Sequence, residues 1–157
     1  MLEFILYKGY LKEIFLYPYP IMMIMLKEIT VSSSKKQEIM DITDKVKNIV
    51  SESNVKEGIC IVYAPHATGA VIINENWDPN VMLDIIGALS KLIPGGKWKH
   101  DKVDANGASH IKAAIIGPSE SIIIKNNELQ LGQWQGIMLA DFDGPRQRTV
   151  FIKILSG

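Results

Sequence analysis

Short apolar runs, each closed by turn residues, recur along most of this chain, and they constrain its fold class more than any other feature. Ile59-Cys60-Ile61-Val62-Tyr63, continuing to Ala64, and residues 70–73 have the length and β-branched content of strands. Residues 27–31 alternate as a strand does, Ser32-Ser33-Ser34-Lys35-Lys36 reads as a turn, and residues 37–42 read as a second strand. Residues 121–125, 129–131, 133–140 and 148–155 complete the set, with Asn126-Asn127 as another turn. Helical signals are fewer. Thr43 is placed to N-cap a helix running to about Ser53, with Val46, Ile49 and Val50 on one face. Asp78-Pro79 joins a capping side chain to a ring preset for the first helical turn. Met82, Leu83, Ile85, Ile86, Leu89 and Ile93 then form an apolar face before Pro94-Gly95-Gly96 stops the helix. Asn106 is placed to cap a short helix or turn to about Ala114. Strands and helices do not alternate as in a Rossmann fold, and no glycine-rich phosphate loop is present. The pattern predicts an α+β fold: an antiparallel β-sandwich-like core with two or three flanking helices.

The length of 157 residues suits one domain with a substantial core. Lysine plus arginine balance aspartate plus glutamate, 17 against 17, which argues against nucleic acid as the main partner and gives no reason to expect an anionic membrane surface. Cys60 is the single cysteine, so no intrachain disulfide forms, and its apolar setting reads as an inert buried thiol. Residues 1–24 differ from the rest. They are apolar, but Glu3, Lys8, Lys12 and Glu13 interrupt them and Pro18 and Pro20 would break a helix, whereas a membrane span needs ~20 consecutive apolar residues. A basic start and a small-residue cleavage site are also lacking. No membrane association and a cytoplasmic location are therefore expected. Met22, Met23 and Met25 are alternative starts, so residues 1–24 read as an extension or a start-site artefact ahead of a single domain over 25–157. An authentic extension of this composition would pack on the domain or on a neighbouring subunit.

Three histidines stand out. His66 follows a buried strand in Pro65-His66-Ala67-Thr68-Gly69, His100 lies in a polar loop, and His110 is ten residues further on. Neutral imidazole ligates zinc and similar ions, and three histidines plus a water make an open, catalytic-type zinc site. Asp101 or Asp104 could orient an imidazole from behind. The spacing is not a compact metal motif, and each histidine taken alone reads first as a surface or hydrogen-bonded structural residue. Glu75, after a strand in Ile73-Asn74-Glu75-Asn76, is a candidate general base or ligand if it faces the same pocket, and otherwise a capping or solvated carboxylate. Arg146 and Arg148 surround the turn sequence Asp143-Gly144-Pro145. Alternate strand residues share a face, so both guanidiniums could grip one phosphate or diphosphate; the alternative is a pair of salt bridges to Asp141 and Asp143. Trp134, between two glutamines, could stack on a ring, though filling the core is its expected role. Lys112 is a lesser phosphate candidate, or simply solvated.

Gly132-Gln133-Trp134-Gln135, followed by Asp141-Phe142-Asp143-Gly144-Pro145-Arg146-Gln147-Arg148, resembles the carboxy-terminal signature of the YjbQ-like family, the secondary thiamin-phosphate synthase family. His66-Ala67-Thr68-Gly69-Ala70 with Ile73-Asn74-Glu75-Asn76 is similar to that family's first motif, and Trp98-Lys99-His100-Asp101 and residues 106–112 to its middle motifs. Ala67 stands where a hydroxyl residue is common, and Gln133 where threonine is usual. The resemblance implies an α+β sandwich, a homotrimer, and a cleft near the subunit interface that gathers His66, His100 and His110 around a divalent ion. Zinc suits the histidines, and magnesium would suit a diphosphate substrate. It also implies weak thiamin-phosphate synthase activity on small phosphorylated metabolites. A pyrimidine diphosphate would lose pyrophosphate, and the ring nitrogen of a thiazole phosphate would attack the resulting cation. Arg146 and Arg148 would neutralise the leaving group, Asn106 and Lys112 would bind phosphate, and His66 and Glu75 would assist catalysis. Two rival readings use the same residues: metal-dependent hydrolysis of a small phosphorylated compound, and a non-catalytic trimeric metal- or metabolite-binding module.

Overall fold

The structure, a computed structural model, describes residues 4–7 and 10–13 as strands and residues 23–157 in full. Strands β1 (Phe4–Tyr7) and β2 (Tyr10–Glu13) form an antiparallel hairpin. The extension expected over residues 1–24 otherwise lies largely outside the described residues.

The body of the chain runs β3 (Ile24–Ser32), β4 (Glu38–Asp41), α1 (Thr43–Ser53), β5 (Glu57–Tyr63), β6 (Gly69–Glu75) and α2 (Pro79–Leu92). A 3-10 turn (Lys99–Lys102), α3 (Gly107–Ile116), β7 (Ser119–Lys125), β8 (Glu128–Leu129), β9 (Gln135–Asp141) and β10 (Gln147–Ser156) follow. A five-stranded sheet has the order β3-β10-β5-β7-β8 and a three-stranded sheet the order β4-β9-β6; every pairing is antiparallel.

The period of two along β10 sends Val150, Ile152 and Ile154 into the space between the sheets. There they meet Cys60 and Val62 of β5, Val71 of β6, Ile137 and Leu139 of β9, and Val46 and Val50 of α1. Burying each of the larger side chains stabilises the fold by ~1.5–3 kcal/mol. The alternate residues of β9, Met138 and Ala140, point the other way, into a second core with Phe142 beneath Met82, Ile86 and Leu89 of α2 and Ala113 of α3. β9 is thus buried on both faces, which is why its sequence is a continuous apolar run instead of an alternating one. The α+β sandwich with three helices agrees with the sequence reading.

Two capping expectations are corrected. Ile42, not Thr43, occupies the cap position of α1, and no side chain caps it. Thr43 Oγ1 instead donates to Asp41 and accepts from the Ile137 amide at 2.8 Å, pinning α1 to β9. Asn106 does not cap α3 with its side chain either; its Nδ2 donates to Asp143 Oδ2 at 3.1 Å. Asp78 does cap α2, accepting from the Asn80 amide at 2.9 Å. Cys60 is fully buried, and burial pushes its thiol up to about 12, so it is inert as expected. Among the described residues no helix is long and apolar enough to cross a membrane.

Candidate functional site

Four elements meet at one end of the sandwich: the β5–β6 turn, the end of β9, the start of β10 and the start of α3. Arg148 occupies the inward stripe of β10 one step before Val150, so the chain places a cation at the rim of an apolar core. The cation is paired. Arg148 donates to Asp141 Oδ1 at 2.6 Å and to Thr68 Oγ1 at 2.9 Å, with side chains 7% and 0% exposed for the arginine and the aspartate. Burial alone would raise the Asp141 carboxyl. The hydrogen bonds from Arg148 and Ser33, the Asp143 amide and the Arg148 charge outweigh it and hold that carboxyl below the ordinary carboxylate value. Arg148 Nε is buried without a partner.

Arg146 lies outside this buried pair. Its side chain is 56% exposed and forks onto Asp143, from Nε to the backbone carbonyl at 2.7 Å and from Nη2 to Oδ2 at 2.8 Å. The two arginines therefore form salt bridges to Asp143 and Asp141, the alternative weighed above, and do not converge on one anion. Gly144 is required between them. A Cβ there would collide with Ser33 Oγ and the Lys35 carbonyl, and Ser33 Oγ in turn donates to Asp141 Oδ2 at 2.6 Å.

The histidines divide. His66 Nε2 lies 3.0 Å from the Thr149 amide and 2.9 Å from the Thr149 carbonyl oxygen. Thr149 pairs with Thr30 of β3 on one side, but β5 pairs with β10 only from Phe151 onward, so on the β5 side the imidazole takes the place of a strand neighbour. His100 and His110 meet edge to face with ring centroids 4.8 Å apart, and His100 Nε2 is 3.8 Å from Asp104 Oδ2. Among the described residues no three His, Cys, Asp or Glu side chains are close enough to hold one ion. His100 and His110 are thus a pair of imidazoles that, among the described residues, does not by itself make a three-ligand site.

Thr68, Asp104, Asn106, His110, Asp143 and Arg146 line an open cleft of about 460 Å³. Of the anticipated residues, it unites Asn106, His110 and Arg146. His66 borders an adjoining hollow with Ala113 and Pro118. Lys112 is buried on the other side of Asn106. Glu75 ends β6, whose first residue Gly69 is at the cleft end, so the two lie ~20 Å apart along the strand. Trp134 is half exposed and does not fill the core as expected; it packs edge to face on the exposed Trp77, centroids 5.6 Å apart, at Glu75's end of the sheet. Thr68 and the lining role of Asp143 were not anticipated. Thr68 lies in the His66 motif, and an aspartate before Gly-Pro reads first as a turn residue, so the sequence separates neither from ordinary turn chemistry. A groove of about 500 Å³ between α1 and the β7–β8 turn is walled largely by amides and a serine, with Lys47 and Glu128, and has no imidazole or arginine.

The family model described as "UPF0047 protein YjbQ-like" matches residues 27–157. A UPF0047 protein of Methanocaldococcus jannaschii is 45% identical over 131 residues, covering 83% of this chain and 94% of its own. YugU of Bacillus subtilis, another UPF0047 protein, is 37% identical over 134 residues, covering 83% and 99%. A crystal structure from Sulfolobus solfataricus, described as a YbjQ-like protein of unknown function, superposes with a TM-score of 0.84 at 34% identity, over 87% of this chain and 99% of that one.

Proposed function

The chain belongs to the YjbQ-like UPF0047 family, and on that premise we propose that the cleft between the β5–β6 turn, α3 and the start of β10 binds a small phosphorylated metabolite. The observation that carries this reading is Arg146, an exposed guanidinium in the cleft wall beside His110. Asp143 orients the guanidinium, and Asn106 in turn donates to Asp143. A departing or bound phosphate meets a fixed cation and an imidazole able to pass a proton. Arg148 has a different part: neutralised by Asp141, it holds the floor of the cleft in shape.

The reaction proposed is pyrimidinylmethyl transfer, as the sequence resemblance implies. The carbon–oxygen bond to the diphosphate breaks, pyrophosphate leaves with its electron pair, and the thiazole ring nitrogen forms the new carbon–nitrogen bond. Arg146 takes the leaving charge and His110 can protonate it. The chain is further proposed to act as a homotrimer. Support comes from the outer face of the five-stranded sheet, where Ile24, Leu155, Ile59 and Ile123 lie in one row across four neighbouring strands. Ile24, Ile59 and Ile123 are exposed. A neighbouring copy is also the available source of a further ligand beside His100 and His110, which is what a zinc ion there requires.

The experiment is an assay of purified protein with the pyrimidine diphosphate and thiazole phosphate substrates. Wild type should form product, Arg146→Ala at least tenfold less, and Glu75→Gln about as much as wild type. Equal product from wild type and Arg146→Ala would remove the proposed role.

A further inference from the structure

Lys112 projects from α3 into the seam where α3, α2 and the segment entering β4 meet. It is only 2% exposed. Its ammonium donates to Gln37 Oε1 at 2.7 Å and to Ser90 Oγ at 3.1 Å, both neutral acceptors. Among the described residues no carboxylate lies within 4 Å of it, the three ion pairs there being His100–Asp104, Arg146–Asp143 and Arg148–Asp141. An ammonium has three donors, and two are used. A buried cation with neither counter-charge nor full hydrogen bonding is costly unless something else supplies both. Burial accordingly pulls the Lys112 ammonium below the ordinary lysine value. Beside it is a small cavity of about 90 Å³, whose walls include Lys112, Gln37, Ser90, Lys36 and Asn106. At ~30 Å³ per water molecule, that volume holds about three waters, or one group the size of a tetrahedral oxyanion. Lys36 is among the lining residues and no carboxylate lines the space.

We infer that this cavity is a binding site for a free oxyanion of phosphate size, held by the third Lys112 donor and by Lys36, and distinct from the Arg146 cleft on the other side of Asn106. Arg146 does not line the site. Its occupant would neutralise the lysine and tie α2, α3 and β4 together at the back of the proposed substrate cleft.

The test is calorimetric titration of inorganic phosphate into wild type, Lys112→Met and Arg146→Ala, with circular dichroism to check folding. A phosphate site separate from the Arg146 cleft should be present in wild type and persist in Arg146→Ala, and Lys112→Met should bind there at least tenfold more weakly. No binding by wild type, equal binding by Lys112→Met, or loss confined to Arg146→Ala would overturn the inference. Should Lys112→Met not fold, the titration of the Lys112 amine in wild type, followed by NMR after ¹³C-methylation, decides the matter. Phosphate should shift its midpoint upward; an unchanged midpoint overturns the site. Loss of phosphate binding here leaves the transferase assay untouched, so the two readings fail separately.

Discussion

At the residue scale the two arginines, two positions apart, are separated by burial. Arg148 faces a fully buried carboxylate, so truncating it strands Asp141 without its charge partner. Breaking a buried pair from one side costs ~3–5 kcal/mol. Arg148→Ala should therefore lower the urea midpoint sharply at an unchanged slope, whereas Arg146→Ala, at an exposed pair, should cost ~1 kcal/mol or less. The pH dependence follows from the same pair. Asp141 titrates below its ordinary value in the fold, so its contribution is fully present above the ordinary carboxylate range. That contribution is lost as pH falls through the lowered folded value. Urea midpoints measured across this acid window should fall in wild type and change less in Asp141→Asn; parallel curves would contradict the assignment.

At the element scale, His66 completes the exposed end of the β5–β10 ladder. His66→Ala should leave the Thr149 amide without its partner, and amide exchange there should speed up while the central β10 amides hold. Unchanged exchange at Thr149 would show that the imidazole adds nothing to the ladder. Much of this level was legible in the sequence. The strands at 59–64 and 148–155 and the Asp78-Pro79 helix start carry strong local signals, and each is found within a residue or two. What local pattern cannot convey is which partner a polar side chain chooses. Thr43 and Asn106 both stand where a cap is expected, and both turn instead to a neighbour distant in sequence, the Ile137 amide and Asp143. The same limit applies to the site. Residue types pointed to His110, Asn106 and Arg146, but the removal of Glu75 to the far end of β6 and the commitment of His66 to a strand edge depend on the sheet register. A tryptophan's apolar area usually goes inside, which favours a core role for Trp134, yet it is half exposed and pairs with Trp77 on the surface.

For the whole molecule, the row of Ile24, Ile59 and Ile123 on the outer face of the large sheet is exposed among the described residues. In the proposed homotrimer this face is where copies would meet. Sedimentation should give a trimer for wild type and smaller species for the double variant Ile59→Lys, Ile123→Lys; a trimer that survives both lysines would move the interface elsewhere. One end of this sandwich thus has an inner, buried arginine and an outer one proposed to bind ligand. The most direct test of this division is the affinity for pyrophosphate, the proposed leaving group, measured by calorimetry in wild type and Arg146→Ala at matched thermal stability. Wild type should bind saturably, and Arg146→Ala at least tenfold more weakly, a loss of ~1.4 kcal/mol or more. Equal affinity in the two proteins would contradict it.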